Sequence, residues 1–317
     1  MNQKLRVGLR LRGIDTFDVS KPGNVQGDEQ VARGWQKYLL RCDDVESVYL
    51  YSSSGLIAEK LDVLIHFYPY LELDEKVKNF LYLQNAFPNT SNPTKWLYPP
   101  ELHIGTVGVF NQIKSRFDGY IFTSKKLMEA CTSGAVIPFA TDPELFFPQP
   151  SNHYQHPVSF VGNDIRGPLV NQRYFVPSLP FGLVIYGNKA WSEPLQKACL
   201  GKLPMPDLPK LYSSCLINLN AHIEEHIELD TINLRIYDIL GCGGFILSDH
   251  VDSLQAIFGD SLVCTTGNED EWAKIVRYLA DDEERQKRSQ EGRKLVLSDH
   301  TYANRVKILI SYLKEVL

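Results

Sequence analysis

The chain has 317 residues, 44% of them apolar and 22% charged, and a net charge of −5. That length exceeds what one core usually serves and points to two domains, while the ordinary apolar and charged fractions exclude a disordered or fibrous chain. The acidic balance argues against a nucleic-acid-binding surface, which needs a basic stripe.

Apolar runs alternate with helical patterns along the chain, which predicts parallel sheets with crossover helices. The run LRVGLRL (5 to 11) reads as a first strand, and residues 27 to 42 read as a helix with Val31, Trp35, Tyr38 and Leu39 on one face. Strands follow at 48 to 52, 61 to 67 and 78 to 84. Then come a proline-rich loop (88 to 100), a helix near 105 to 114, a strand at 119 to 124, a helix ending at Gly134 and a strand at 136 to 140. The polar, proline-rich stretch 141 to 157 reads as an interdomain linker. A second series then places strands at 158 to 163, 182 to 188, 215 to 220, 244 to 249 and 261 to 266. Two helices follow at 268 to 282 and 283 to 298. The tail carries apolar residues at 302, 306, 309, 310, 313, 316 and 317, a one-faced helix. The expected division is residues 1–150, residues 151–300 and a terminal helix, 301–317, that packs back on the first domain.

Six cysteines, at 42, 131, 199, 215, 242 and 264, include no C-x-x-C pair, so neither a zinc ribbon nor a dithiol redox site is signalled. Their apolar surroundings suit buried thiols in a reducing compartment. The first residues contain no apolar run of signal-peptide length, and no stretch approaches the roughly 20 residues of a membrane span. The expectation is a cytoplasmic protein without a transmembrane segment, peripheral membrane contact being left open.

The stretch Asp230 to Asp249, DTINLRIYDILGCGGFILSD, carries the chemistry. It reads as an acid, a short helix starting near Thr231, a glycine stop and a buried strand. Helix starts attract anions because their first amides lack partners and the dipole end is positive. Carboxylates accept hydroxyl hydrogen bonds strongly. Asp230 either positions a ligand above the amides of Thr231, Ile232 and Asn233 or serves as an N-cap. Asp238 and Arg235 share a helix face, so they form either a ligand-binding pair or an ordinary ion pair. Gly241, Gly243 and Gly244 read as a helix stop with tight packing.

SFVGN (159 to 163), GKLPMPDLPKLYSSCLINLNAH (201 to 222), NLRIYDILGCGGFILSD (233 to 249) and TYANRV (301 to 306) together resemble glycosyltransferases of the two-Rossmann-domain (GT-B) fold. Within that fold the pattern is most similar to the spore-maturation CgeB-like group. The resemblance covers roughly residues 155 to 317; the first half matches in topology only. Many retaining members of the fold carry two glutamates with seven residues between them. Both positions are aspartate here, which draws each carboxylate back by about 1.5 Å.

The resemblance implies an α/β protein of two Rossmann-like domains facing a cleft. It also implies transfer of a sugar from a nucleotide-diphosphate sugar to a hydroxyl on a glycan, lipid-linked or small acceptor. Asp238 would then hold the nucleotide ribose, with Arg235 and Asn233 beside it, and Asp230 would position the donor sugar. A basic residue after the strand ending at Gly162 and Asn163, either Arg166 or Arg173, would neutralise the diphosphate, with Gly187 passing the nucleotide edge. In the first domain, His66 at a strand end is either a donor contact or a core histidine. Asp15 and Asp18 in the loop after the first strand are either acceptor-side acids or solvated residues. The nucleotide sugar is a co-substrate; no cofactor, metal or nucleic-acid partner is expected. Two other readings stay open: a nucleotide-sugar 2-epimerase and a non-catalytic nucleotide-sugar-binding module. A dehydrogenase is disfavoured because LRVGLRLRG lacks G-x-G-x-x-G.

Overall fold

Two parallel sheets organise the molecule, a computed structural model that describes residues 4–12, 27–53, 57, 59–89, 98–188 and 190–317. The first contains β1 (Leu5–Arg10), β2 (Val45–Tyr51), β3 (Val63–His66), β4 (Lys78–Leu83), β5 (Gly119–Phe122) and β6 (Ala135–Val136), in the order β2-β1-β3-β4-β5-β6. The second contains β7 (Val158–Val161), β8 (Leu183–Tyr186), β9 (Cys199–Gly201), β10 (Ile217–Asn220), β11 (Ile246–Ser248) and β12 (Val263–Cys264), in the order β12-β11-β10-β7-β8-β9. Every pairing in both sheets is parallel. Parallel strands are covered on both faces and so read as unbroken apolar runs; β3, β5 and β10 are buried throughout.

Both orders are doubly wound arrangements, and each has a point where the strand order reverses. In the second sheet that point lies between β7 and β10. The first-lobe core forms where Trp35 of the helix Gly27–Leu39 packs on Phe67 and Tyr82. The second-lobe core is built around Phe160, Phe175 and Trp191.

The chain passes between the lobes twice at one place. The amide of Thr141 donates to His300 O, and the amide of Tyr302 donates to Thr141 O, at 3.1 Å each. From there the terminal helix Tyr302–Val316 returns to the first lobe, as the sequence predicts. It is capped by Thr301 and Asn304. Arg305 donates to Phe139 O, and the Tyr312 hydroxyl accepts from the Tyr120 amide at 3.1 Å. Gly34 makes room for this helix: a Cβ there would lie 2.5 Å from the ring of Tyr302.

The predicted strands and helices are present with ends shifted by a few residues. The three-residue edge strand β9 has no counterpart in the sequence reading. The helix expected from Thr231 starts later, at Leu234, because Asn233 is extended (φ −73°, ψ 155°) and takes the cap position.

Candidate functional site

The carboxyl ends of β7 and β10 flank the reversal point of the second sheet, the place where open α/β sheets bind ligands. Two arginines converge there on one ring. The guanidinium carbons of Arg166 and Arg235 lie 4.9 Å and 4.7 Å from the centroid of Phe160 in β7. Arg166, just beyond β7, donates to Ala221 O at 2.6 Å and Asn163 O at 3.2 Å. Arg235, in the helix Leu234–Gly241, donates to Val161 O at 2.7 Å and to Asn220 Oδ1 at 2.9 Å. Among the described residues these partners are all neutral oxygens. Burial, and then the neighbouring Arg235 charge, lower the Arg166 pKa to about 9; burial also lowers that of Arg235. Two cations held together with no carboxylate hydrogen-bond partner among the described residues raise the local potential and leave a place for an anion.

Below the arginines runs a buried polar network. Asn220, the last residue of β10, accepts at Oδ1 from both Arg235 and Asn233 Nδ2, the latter at 2.8 Å. Its own amide donates to Ser248 Oγ in β11 at 2.9 Å. His222 and Asp249 are linked at 2.7 Å through Nδ1, and the Asn233 amide donates to His222 Nε2 at 3.2 Å. Sequence reasoning passed over Asn220, His222 and Asp249 as parts of a site. The signal for Asn220 and Asp249 is a polar residue at the end of a largely apolar run, as in CLINLN and GFILSD.

Gly162 and Gly187 end β7 and β8 side by side. The Gly187 amide donates to Gly201 O at 2.9 Å, and a Cβ on Gly187 would fall 2.0 Å from Gly162 O. Asn163 steadies the same corner by accepting from the Asn188 amide at 2.8 Å. Asn163 O also accepts from Arg166, at 3.2 Å. Arg173 does not join: it is exposed and donates to Thr266 O at 2.6 Å, beyond the far edge strand β12.

Several sequence expectations need correction. Asp230 does not cap the helix that follows it. It adopts φ 54° in the turn after the helix Glu224–Glu228, and its carboxylate takes the amide of Ser253 at 2.8 Å and the Ser253 hydroxyl. It thus caps the helix Asp252–Phe258. The amides expected to face a diphosphate are partly engaged: that of Thr231 donates to His226 O at 2.8 Å and that of Asn233 to His222. Ile232 is buried in the core.

Asp238 faces the other lobe, 4% exposed, and its two oxygens accept from Gln30 Nε2 at 2.8 Å and Thr141 Oγ1 at 2.9 Å. Burial pushes its pKa up to about 8. It forms no ion pair with Arg235, which turns to Asn220 instead. Gln30 sits in the first-lobe helix, and Thr141 where the chain crosses. Nearby, Thr123 beyond β5 meets Thr231 hydroxyl to hydroxyl at 3.1 Å, and Ser124 donates to Leu229 O. The carboxyl ends of the two sheets therefore face each other across this junction.

His66 is a core histidine. It is fully buried at the end of β3, edge-on to Phe117 and bonded through Nε2 to Asn79 Oδ1 at 2.9 Å. Burial holds its pKa at about 4. Asp15 and Asp18 lie outside the described residues. A shallow hollow lined by Leu73, Val77, Asn79, Arg116 and Asp118 opens at the amino end of β4, away from the arginines. Among the described residues no helix is long and apolar enough to cross a membrane.

A family model described as glycosyl transferase-like matches residues 171–311. Among curated proteins no match is found. Solved structures are similar over nearly the whole chain. The sucrose-phosphate synthase from Thermosynechococcus elongatus is 13% identical, with 99% of each chain covered and a TM-score of 0.64. AviGT4, a glycosyltransferase involved in avilamycin A biosynthesis, is 14% identical over 98% of each chain, with a TM-score of 0.64. HepE from Anabaena, crystallised with UDP and glucose, is 11% identical over 98% of this chain and 99% of that one, with a TM-score of 0.62. Likeness at such identities establishes architecture: the chain has the GT-B fold.

Proposed function

We propose that the chain is a glycosyltransferase that moves a sugar from a nucleotide-diphosphate sugar to a hydroxyl acceptor. The observation that carries this reading is the pair Arg166 and Arg235. Both are held at the reversal point of the second sheet by hydrogen bonds that, among the described residues, go to neutral oxygens alone. A diphosphate supplies the charge that two desolvated guanidiniums lack. Departure of a nucleoside diphosphate also needs cations where its negative charge accumulates. The glycosyl transferase-like match over residues 171–311, and the complex of the similarly folded HepE with UDP and glucose, favour the same assignment.

In this reading the second lobe holds the donor, the first lobe holds the acceptor, and closure excludes the water that would hydrolyse the donor. A ribose or sugar hydroxyl would reach Asp238 by replacing the Gln30 amide at Oδ2. Asp230 acts through the helix it caps. The CgeB-like subtype is part of the proposal and rests on the N-x-R-x-Y-D spacing at Asn233, Arg235 and Asp238.

Calorimetry with UDP, GDP, ADP and dTDP and their glucose conjugates tests it. At least one ligand should bind wild type and lose about tenfold or more of its affinity in Arg166→Met. Absence of binding across the panel would overturn the assignment. Incubating the bound donor without acceptor tests the 2-epimerase alternative, since an isomerised nucleotide sugar would displace the transferase reading.

A further inference from the structure

The polar network beneath the arginines fixes one hydrogen-bond acceptor. A guanidinium can only donate, so Asn220 must turn its oxygen toward Arg235. Asn233 touches that same oxygen at 2.8 Å and must therefore present its NH₂ group there. The carbonyl oxygen of Asn233 is left over. It is buried and, among the described residues, has no hydrogen-bond partner. Asn233 itself is 9% exposed. A buried unpartnered acceptor is a standing cost that a ligand donor would remove.

The backbone of the same residue is fixed from the other side. An amide also only donates, so His222 Nε2, which receives the Asn233 N–H at 3.2 Å, carries no proton. The imidazole is then the Nδ1–H tautomer, and it donates to Asp249 Oδ1 at 2.7 Å. Asp249 also accepts the His222 amide at 2.7 Å and the Ser248 hydroxyl at 3.1 Å. Asp249 and His222 thus form a rigid post, both buried, that sets where the helix Leu234–Gly241 begins.

We propose that Asn233 Oδ1 is the acceptor for a hydroxyl of the nucleotide-sugar donor, and that His222 and Asp249 are positioning residues that hold it two residues before Arg235. The assignment rests on the donor reading above and adds which atom recognises a hydroxyl beside the diphosphate. That hydroxyl belongs either to the ribose or to the transferred sugar; the two share one chemistry and are separated by the ligand used. His222 keeps its Nε2 bare for the Asn233 amide, so the imidazole orients and does not transfer a proton.

The test uses the full chain and calorimetry with each nucleoside diphosphate and its glucose conjugate. Failure of wild type to bind any of them removes the donor reading, and this assignment with it. Given wild-type binding, Asn233→Leu should weaken it about tenfold, the weight of one lost hydrogen bond. Equal loss for diphosphate and conjugate places the hydroxyl on the ribose; loss for the conjugate alone places it on the sugar. Unchanged affinity for both overturns the assignment. His222→Gln puts an amide oxygen near the Nε2 position and should keep affinity within a few fold. His222→Asn fills only the Nδ1 position and should behave as Asn233→Leu; equal behaviour of the two His222 variants overturns the positioning role. Should the variants fold poorly, ¹⁵N spectra of wild-type histidines decide: an Nε2–H tautomer at His222 overturns the network on which the proposal stands.

Discussion

The side-chain amide of Gln30 donates to Asp238 across the two lobes at 2.8 Å, joining residues 208 positions apart. Thr141 donates to the other oxygen of the same carboxyl group. One acidic side chain therefore ties together the first-lobe helix, the crossing segment at Thr141 and the helix that carries Arg235. Burial raises its pKa to about 8, so it stays protonated over a wide range when folded and ionises near 4 when unfolded. The folded state then binds the extra proton between those values, and stability falls as pH rises through them.

Asp238→Asn should remove that dependence. The expected result is a variant that gains on wild type by up to about 1.4 kcal/mol per pH unit between pH 4 and 8. Urea unfolding at pH 5 and pH 8 measures it. A stability gap between the two proteins that does not change with pH would contradict the burial of this carboxyl. Glu271, 1% exposed and also raised to about 8 by burial, adds a slope of the same sign that Glu271→Gln should remove separately.

His66 gives the opposite sign. Burial keeps it neutral down to about pH 4, while the unfolded chain protonates it near 6.5. Its contribution is complete above 6.5 and is lost as pH falls toward 4. His66→Gln should flatten the acid side of the stability profile by up to about 1.4 kcal/mol per pH unit. It should leave kcat for any identified acceptor within about threefold, a change of roughly 0.7 kcal/mol in barrier. A loss of kcat beyond about a hundredfold, with the fold intact, would return His66 to the reaction.

Among the described residues Arg166 and Arg235 donate only to neutral oxygens, so their replacement should separate stability from binding. Arg235→Met and Arg166→Met should change apoprotein stability by less than about 2 kcal/mol, because the desolvation penalty of each cation goes with its hydrogen bonds. The nucleotide-induced rise in Tm seen with wild type should nearly vanish in both. Differential scanning fluorimetry with and without nucleoside diphosphate reads both effects. A Tm rise equal to that of wild type would remove the pair from the anion site.

Gly187→Ala should destabilise the second lobe by about 3 kcal/mol, because the new methyl falls 2.0 Å from Gly162 O and the backbone must give. Chemical denaturation checks the figure. A cost under about 0.5 kcal/mol, the ordinary range for a surface change, would mean that the two strand ends do not abut.

Asp230→Ala should cost about 1 kcal/mol by uncapping Ser253. Faster amide exchange in the helix Asp252–Phe258, with the helix Leu234–Gly241 unaffected, distinguishes this role from an N-cap on its own helix.

Much of the architecture was legible because buried parallel strands write themselves as largely apolar runs, as β3, β5 and β8 do. The edge strand β9 escaped because its residues are largely uncovered and its length is only Cys199–Gly201. Arg166 could be proposed from its place after a strand, and Arg235 and Asn233 from theirs in a helix expected to start near Thr231. Asp230 misled for a sound local reason: aspartate favours caps, and it does cap a helix, though one reached through the fold. The partners of Asp238 had no local signal, since Gln30 lies on an ordinary helix and Thr141 in a stretch that reads as linker. His66 carried an ambiguity that only burial against Phe117 and Asn79 resolved.

The twin passage of the chain at Thr141 and Thr301, with Tyr302 seated on Gly34, makes the first lobe discontinuous in sequence. A chimera that borrowed the leading portion of a relative while keeping this chain's ending would force a foreign surface against Tyr302, Arg305 and Tyr312. Recombination that trades first lobes in this architecture must therefore carry the segment up to Thr141 together with the helix Tyr302–Val316, and shuffling at one breakpoint should give insoluble product.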